Sequence, residues 1–138
     1  MTVPLIRFGP GAGIEAAIGA GSVPRGRMMT SVYTSKVQQL NDAFRKTLTG
    51  GQTYMTSGVT ALATSVTTEV LALVRSFDAF TTDNDPYGEH DFGSVTVDGT
   101  RFFWKIDYYD LSLQYGSSDP SDPAQTTRVL TIMLAEEY

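Results

Sequence analysis

The chain has no cysteine, a single histidine and a single tryptophan. Without thiols it can form no disulfide, no thiolate metal site and no cysteine nucleophile, which suits a reducing compartment. No apolar run approaches the roughly 18 residues that span a bilayer. No apolar segment follows Arg7 near the N-terminus, so a secretory signal is not expected and the cytoplasm is the default location. Nucleophile elbows, P-loops and dinucleotide fingerprints are missing too, since Gly9-Pro10-Gly11-Ala12-Gly13 follows no convincing strand. No cofactor is expected.

What is present fits one soluble globular domain of 138 residues, 41% hydrophobic, with seven phenylalanines. The net charge of −5 is unevenly spread. Residues 1–30 carry Arg7, Arg25 and Arg27 against Glu15, whereas residues 76–123 hold ten acids against Arg101 and Lys105, a local net of −8. Such a surface repels phosphate backbones, so direct nucleic-acid binding is disfavoured, and it suits a basic protein partner or a cation.

Residues 1–30 are rich in glycine and proline and lack periodicity, which predicts a flexible extension ahead of a domain over 31–138. Met28 and Met29 stand where the ordered pattern begins, so a downstream translation start is the alternative to the flexible arm, with residues 1–27 then a matter of start-site choice. Val37, Leu40, Phe44 and Leu48 then form one helical stripe, capped by Thr34 or Ser35 and stopped by Gly50-Gly51. Gln52 to Thr56 alternates as a short strand, and Ser57-Gly58 breaks it. A second helix runs from about Ser65 to Asp78, capped by Thr64 or Ser65, with Val66, Val70, Leu73, Val74 and Phe77 on one face. Residues 80–91 make an acidic turn. Phe92–Val97 and Arg101–Tyr109 flank Asp98-Gly99, the strongest hairpin signal in the chain. Residues 116–123, with two Asp-Pro steps, form a loop, and Thr127–Ala135 closes the domain as a strand. The expected fold is α+β: two helices on one face of a small, mainly antiparallel sheet of three to five strands.

A two-residue turn at Asp98-Gly99 pairs Val97 with Thr100 and fixes which residues share a face. Gly93, Val95, Val97, Phe102, Trp104 and Ile106 form the core face, with Gly93 opposite the indole. Phe92, Ser94, Thr96, Arg101, Phe103, Lys105, Asp107 and Tyr109 form the other, and His90 falls opposite Asp107. This register predicts a His90–Asp107 contact on the uncovered side, with Lys105 and Tyr109 beside it. The cluster reads as a structural latch, as a binding hot spot, or as an acid–base pair with Lys105 and Glu89 in support.

The acids allow two metal readings. Asp83-x-Asp85-x-Tyr87-Gly88 imitates the start of a calcium loop, but Ser94 stands where a bidentate glutamate belongs. Asp83, Asp85, Glu89, His90 and Asp91 form a weak set for a harder ion, and one histidine without cysteine disfavours zinc. Tyr108, Tyr109 and Tyr115, near strand ends, are of a type that interfaces favour.

Leu40-Asn41-Asp42-Ala43-Phe44-Arg45, Gly58-Val59, Phe77-Asp78-x-Phe80, Asn84-Asp85-Pro86-x-Gly88-Glu89-His90-Asp91-Phe92, Trp104-Lys105-Ile106-Asp107-Tyr108-Tyr109, Asp122-Pro123 and Arg128–Ala135 together resemble the bacterial domain-of-unknown-function family 3768 over residues 38–138. That family has no established activity. Its members resemble cargo of plasmids and other mobile elements, which implies an accessory protein that binds a host-defence nuclease. The expected function is therefore a non-enzymatic protein-binding module, of anti-restriction or anti-CRISPR type. Its binding surface is expected at Asp83, Asp85, Tyr87, Glu89, His90, Asp91, Lys105, Asp107, Tyr109 and Tyr115. The alternative is a small acid–base or metal-assisted hydrolase centred on Glu89-His90-Asp91 with Lys105 and Asp107. Neither reading involves a membrane, and the oligomeric state stays open.

Overall fold

The computed structural model describes residues 27–138, with side chains for residues 32–138. The chain runs α1 (Arg27–Thr47), β1 (Gly51–Met55), a one-turn α2 (Ser57–Thr60), α3 (Thr64–Ser76), β2 (Phe92–Val97), β3 (Thr100–Tyr109), β4 (Thr127–Leu134) and a 3-10 turn at Ala135–Glu137. The strands form one mixed sheet in the order β1-β4-β3-β2. β1 is parallel to β4, and the other two pairs are antiparallel. The fold is α+β, as the succession of helical and alternating patterns predicts.

The hairpin sets the sheet's faces. Asp98 and Gly99 take φ of 51° and 80°, the left-handed pair that a tight hairpin turn demands. Val97 therefore faces Thr100, and Gly93 faces Trp104. A Cβ on Gly93 would stand 2.5 Å from the indole Nε1, so only glycine fits across from this fully buried ring. Phe102, Trp104, Ile106, Tyr108, Leu130 and Ile132 project from the sheet to meet Val37, Phe44, Val70 and Val74 of the helices in one core. Phe77 packs edge-on against Trp104 at 5.5 Å, closing the core where α3 ends.

Several boundaries differ from expectation. Residues 1–26 of the expected extension lie outside the described residues, but its last four already belong to α1, which starts at Arg27 rather than at a Thr34 or Ser35 cap. Arg27, Met28 and Met29 are good helix formers and nothing after Gly26 interrupts them. The buried stripe of α1 is Val37, Asn41, Phe44 and Arg45, with Leu48 partly buried; Leu40 is only half-buried. α3 starts at Thr64 with Ala63 as its cap residue and no side-chain cap bond, so neither Thr64 nor Ser65 caps it. Ser57-Gly58 ends β1 by opening α2, and the Glu137 carboxylate accepts the Gly58 and Leu134 amides there.

Candidate functional site

The single histidine lies on the helix side of the sheet. The hairpin register continues to Asp91, whose carbonyl accepts the Ile106 amide at 2.8 Å, and then stops. His90 takes φ of 58°, a left-handed conformation that histidine tolerates better than most residues, and this swings its ring off the strand path. Nδ1 lies 2.9 Å from an Asp42 carboxylate oxygen, Nε2 lies 3.7 Å from Asp85, and the ring stacks on Phe80 at 3.8 Å. The expected His90–Asp107 contact is therefore absent: one residue of left-handed backbone transfers the imidazole from β3 to α1. Asp42 also takes the Arg45 guanidinium at 2.9 Å, which lies over both Phe80 and Trp104.

A second network adjoins the first, built on Asn41 and Glu89, the residues just before Asp42 and His90. Asn41 is fully buried; its amide nitrogen donates to the Glu89 carbonyl at 2.9 Å and to the Tyr108 hydroxyl at 2.7 Å. The Tyr108 hydroxyl donates in turn to the Glu89 carboxylate at 2.8 Å. The Asn41 carbonyl oxygen accepts Arg128 Nε at 2.7 Å, and the same guanidinium donates to the Pro120 carbonyl. Four elements thus meet through one asparagine: α1, the acidic turn, β3 and β4. The turn is closed further by the Asp85 carboxylate, which accepts the His90 amide at 3.2 Å, and by Gln38, which donates to the Gly88 carbonyl at 2.8 Å.

Lys105 and Asp107 alternate with Trp104, Ile106 and Tyr108, so they occupy the sheet's other face, where they pair with each other at 2.9 Å. Both are buried, as is Tyr109, contrary to the exposed cluster expected there. Glu89 and Asp85 are buried as well, so five of the ten expected binding residues cannot offer an open surface. Asp83, Tyr87 and Tyr115 do face solvent, and His90 and Asp91 are partly covered. The proposed acid–base set is divided across the two faces: His90 and Glu89 on the helix side, Lys105 and Asp107 on the other. Among the described residues no three histidine, aspartate or glutamate side chains stand where they could hold one ion, so the four acids and one histidine weighed for a metal do not converge.

Burial dominates the electrostatics. It raises the Glu89 carboxyl, the Tyr108 hydroxyl hydrogen bond partly opposing. Asp107 is raised by burial and drawn back by Lys105. Burial lowers the guanidinium affinities of Arg45 and Arg128 and lifts the Tyr33 and Tyr108 hydroxyls well above their ordinary value. Asp91 is pushed up to about 7 by burial, with Glu89, Asp85 and Asp107 adding repulsion. Glu89 and His90 thus both tie the acidic turn to α1, Glu89 through Asn41 and His90 through Asp42.

Sequence reasoning passed over Asn41, Asp42, Arg45, Tyr108 as a network member, and Arg128. A signal for them existed. Asn41 and Arg45 fall four and eight residues after Val37, on the stripe that Phe44 and Leu48 share, so the helical period places both inside. Polar type argued them outward, but buried polar residues are retained where every group finds a partner, as at Asn41.

No curated protein and no solved structure matches the chain. The family described as "Protein of unknown function (DUF3768)" matches residues 55–137, a stretch that contains the acidic turn, the hairpin and β4 but not α1. The chain belongs to this family, domain of unknown function 3768.

Proposed function

We propose that this protein is a non-enzymatic binding module, an accessory protein of mobile elements that blocks a basic, nucleic-acid-handling defence protein of the host. The observation that carries the reading is the composition of one end of the molecule. The acidic turn and the 110–126 loop both converge on the N-terminal part of α1, where Tyr33 feels Glu89 from one and Asp119 from the other. Between them, Tyr87, Leu111 and Tyr115 are 54%, 67% and 71% exposed, and Asp83 and Asp110 stand in the same two segments. Exposed tyrosine and leucine among carboxylates is the makeup of an interface with a basic partner. The buried Asn41 and His90 contacts then serve to hold the turn in one shape before it binds, which lowers the ordering cost of association.

The reading is tested by titrating the purified protein into cleavage reactions of restriction endonucleases and an RNA-guided nuclease. Inhibition that weakens with added salt, and by roughly 5- to 30-fold in Tyr87→Ala and Tyr115→Ala, supports it. Inhibition indifferent to salt and to both tyrosines counts against the acidic end. Hydrolytic turnover by the protein itself, lost in a folded His90→Ala variant, would replace the binding reading with the enzymatic one.

A further inference from the structure

The two edges of the sheet differ. β2 leads out of the acidic turn and ends at Asp98, so two β2 edges paired antiparallel would set that turn beside Asp98 of the other molecule. β1 lies at the opposite edge. Residues 47–68, which include all of β1, carry no charged side chain in a chain of net charge −5. The Thr56 amide donates to the Ile132 carbonyl at 3.1 Å. Alternation therefore turns the amides and carbonyls of Gln52 and Tyr54 toward β4, and those of Gly51, Thr53 and Met55 outward. Among the described residues no hydrogen bond reaches these outward groups. β1 also lacks the charge, proline or bulge with which proteins blunt a free edge.

We propose that β1 is a self-association edge: two copies pair their β1 strands antiparallel about a two-fold axis through Thr53, joining their sheets into one. The outward groups are arranged symmetrically about Thr53, so a single register satisfies them all. Thr53 bonds Thr53 of the second copy, and Gly51 and Met55 bond its Met55 and Gly51. The same axis brings the two Thr53 side chains together. Thr53 Oγ1 is buried without a hydrogen-bond partner among the described residues, and a facing threonine supplies one. On the other face Tyr54 stands across from Gln52 of the second copy, two uncharged groups that already bond each other within one chain. The acidic turns stay at the far edges of the joined sheet, so like charges do not meet there and the acidic end stays open. The pairing holds whatever that end binds.

The experiment is analytical ultracentrifugation of the full chain over a range of concentrations, joined to single cysteines added to a chain that has none. The wild type is expected to show a species of twice the monomer mass that grows with concentration. Across the axis the two Thr53 α-carbons lie about 5.5 Å apart, within disulfide reach. Oxidised Thr53→Cys is therefore expected to be trapped as a covalent dimer, and Ser94→Cys on the β2 edge is not. Thr53→Pro removes an outward amide and leaves the bonds to β4, so it is expected to weaken the dimer roughly 30-fold or more with a cooperative melt retained. If it does not fold, the cysteine pair decides. A wild type monomeric up to sub-millimolar concentration would overturn the proposal. So would a dimer that Thr53→Cys fails to trap, one that Ser94→Cys traps as readily, or one undiminished in folded Thr53→Pro.

Discussion

Replacing Asn41 by alanine strikes the junction on which the acidic turn depends. Its amide nitrogen serves the Glu89 carbonyl and the Tyr108 hydroxyl, and its oxygen serves Arg128 Nε. Tyr108 keeps its bond to the Glu89 carboxylate, so two groups lose this partner in a dry interior: the Glu89 carbonyl and one guanidinium nitrogen. At about 1–3 kcal/mol for each, plus about 1 kcal/mol for the small cavity, the loss comes to roughly 3–7 kcal/mol. For a domain of this size that lowers the melting temperature by roughly 10–25 °C. Asn41→Asp keeps the shape and the acceptor for Arg128 but removes both donors and adds a charge near Glu89. It should be costly at pH 8 and milder at pH 5. Urea melts followed by circular dichroism measure both, with Gln39→Ala on the exposed side of α1 as a control expected within about 0.5 kcal/mol of wild type. A loss below about 1 kcal/mol for Asn41→Ala would refute the account, since buried partners would then have found substitutes.

Gly93→Ala should lose about 1–3 kcal/mol by forcing a methyl into the Trp104 ring, and this lone tryptophan's fluorescence in a denaturant series reads the loss directly. His90→Ala should lose about 1–2 kcal/mol, through the Asp42 contact and the Phe80 stack, and weaken nuclease inhibition only by the ordering cost it restores, roughly 3- to 10-fold; abolished inhibition in a folded variant would place the ring in the working surface. The pH dependence of stability follows from Asp91. Its folded pKa of about 7 lies above the unfolded value near 4, so the native state holds a proton that the unfolded chain has released. This group therefore favours folding least at high pH: stability falls as pH rises from about 4 to about 7 and is level above. The difference reaches up to about 4 kcal/mol, and subtracting the Asp91→Asn profile from the wild-type profile isolates it. A subtraction that is flat, or that rises with pH, would contradict the assignment.

The hairpin was legible because its determinants are local. Asp98-Gly99 admits one tight turn, that turn fixes the register, and alternation then assigns every residue of β2 and β3 to a face. The parallel pairing of β1 with β4 was not legible, because it joins segments about 75 residues apart and leaves no mark in either strand's own pattern. His90 shows how far a correct register carries. The pairing holds through Asp91, and the very next residue leaves it through a positive φ that no alternation can foresee. The buried polar stripe of α1 had the opposite character: its period was plain, but residue type outweighed it.

The same structure revises what the sequence's charge means for association. Of the ten acids between residues 76 and 123, Asp85, Glu89 and Asp107 are withdrawn from the surface, and Lys105 is withdrawn with Asp107. Asp98 sits at the hairpin tip, away from the turn. The acids left outside on the turn and the 110–126 loop are Asp83, Asp110, Asp119 and Asp122, about half of the local net of −8 read along the chain. Steering scales with charges that solvent can see, since exposed pairs are screened beyond roughly 8–10 Å at ordinary salt. A partner bound at this end should therefore show a salt dependence set by about four charges rather than eight. The remaining affinity must then come from Tyr87, Leu111 and Tyr115, whose contribution salt leaves in place.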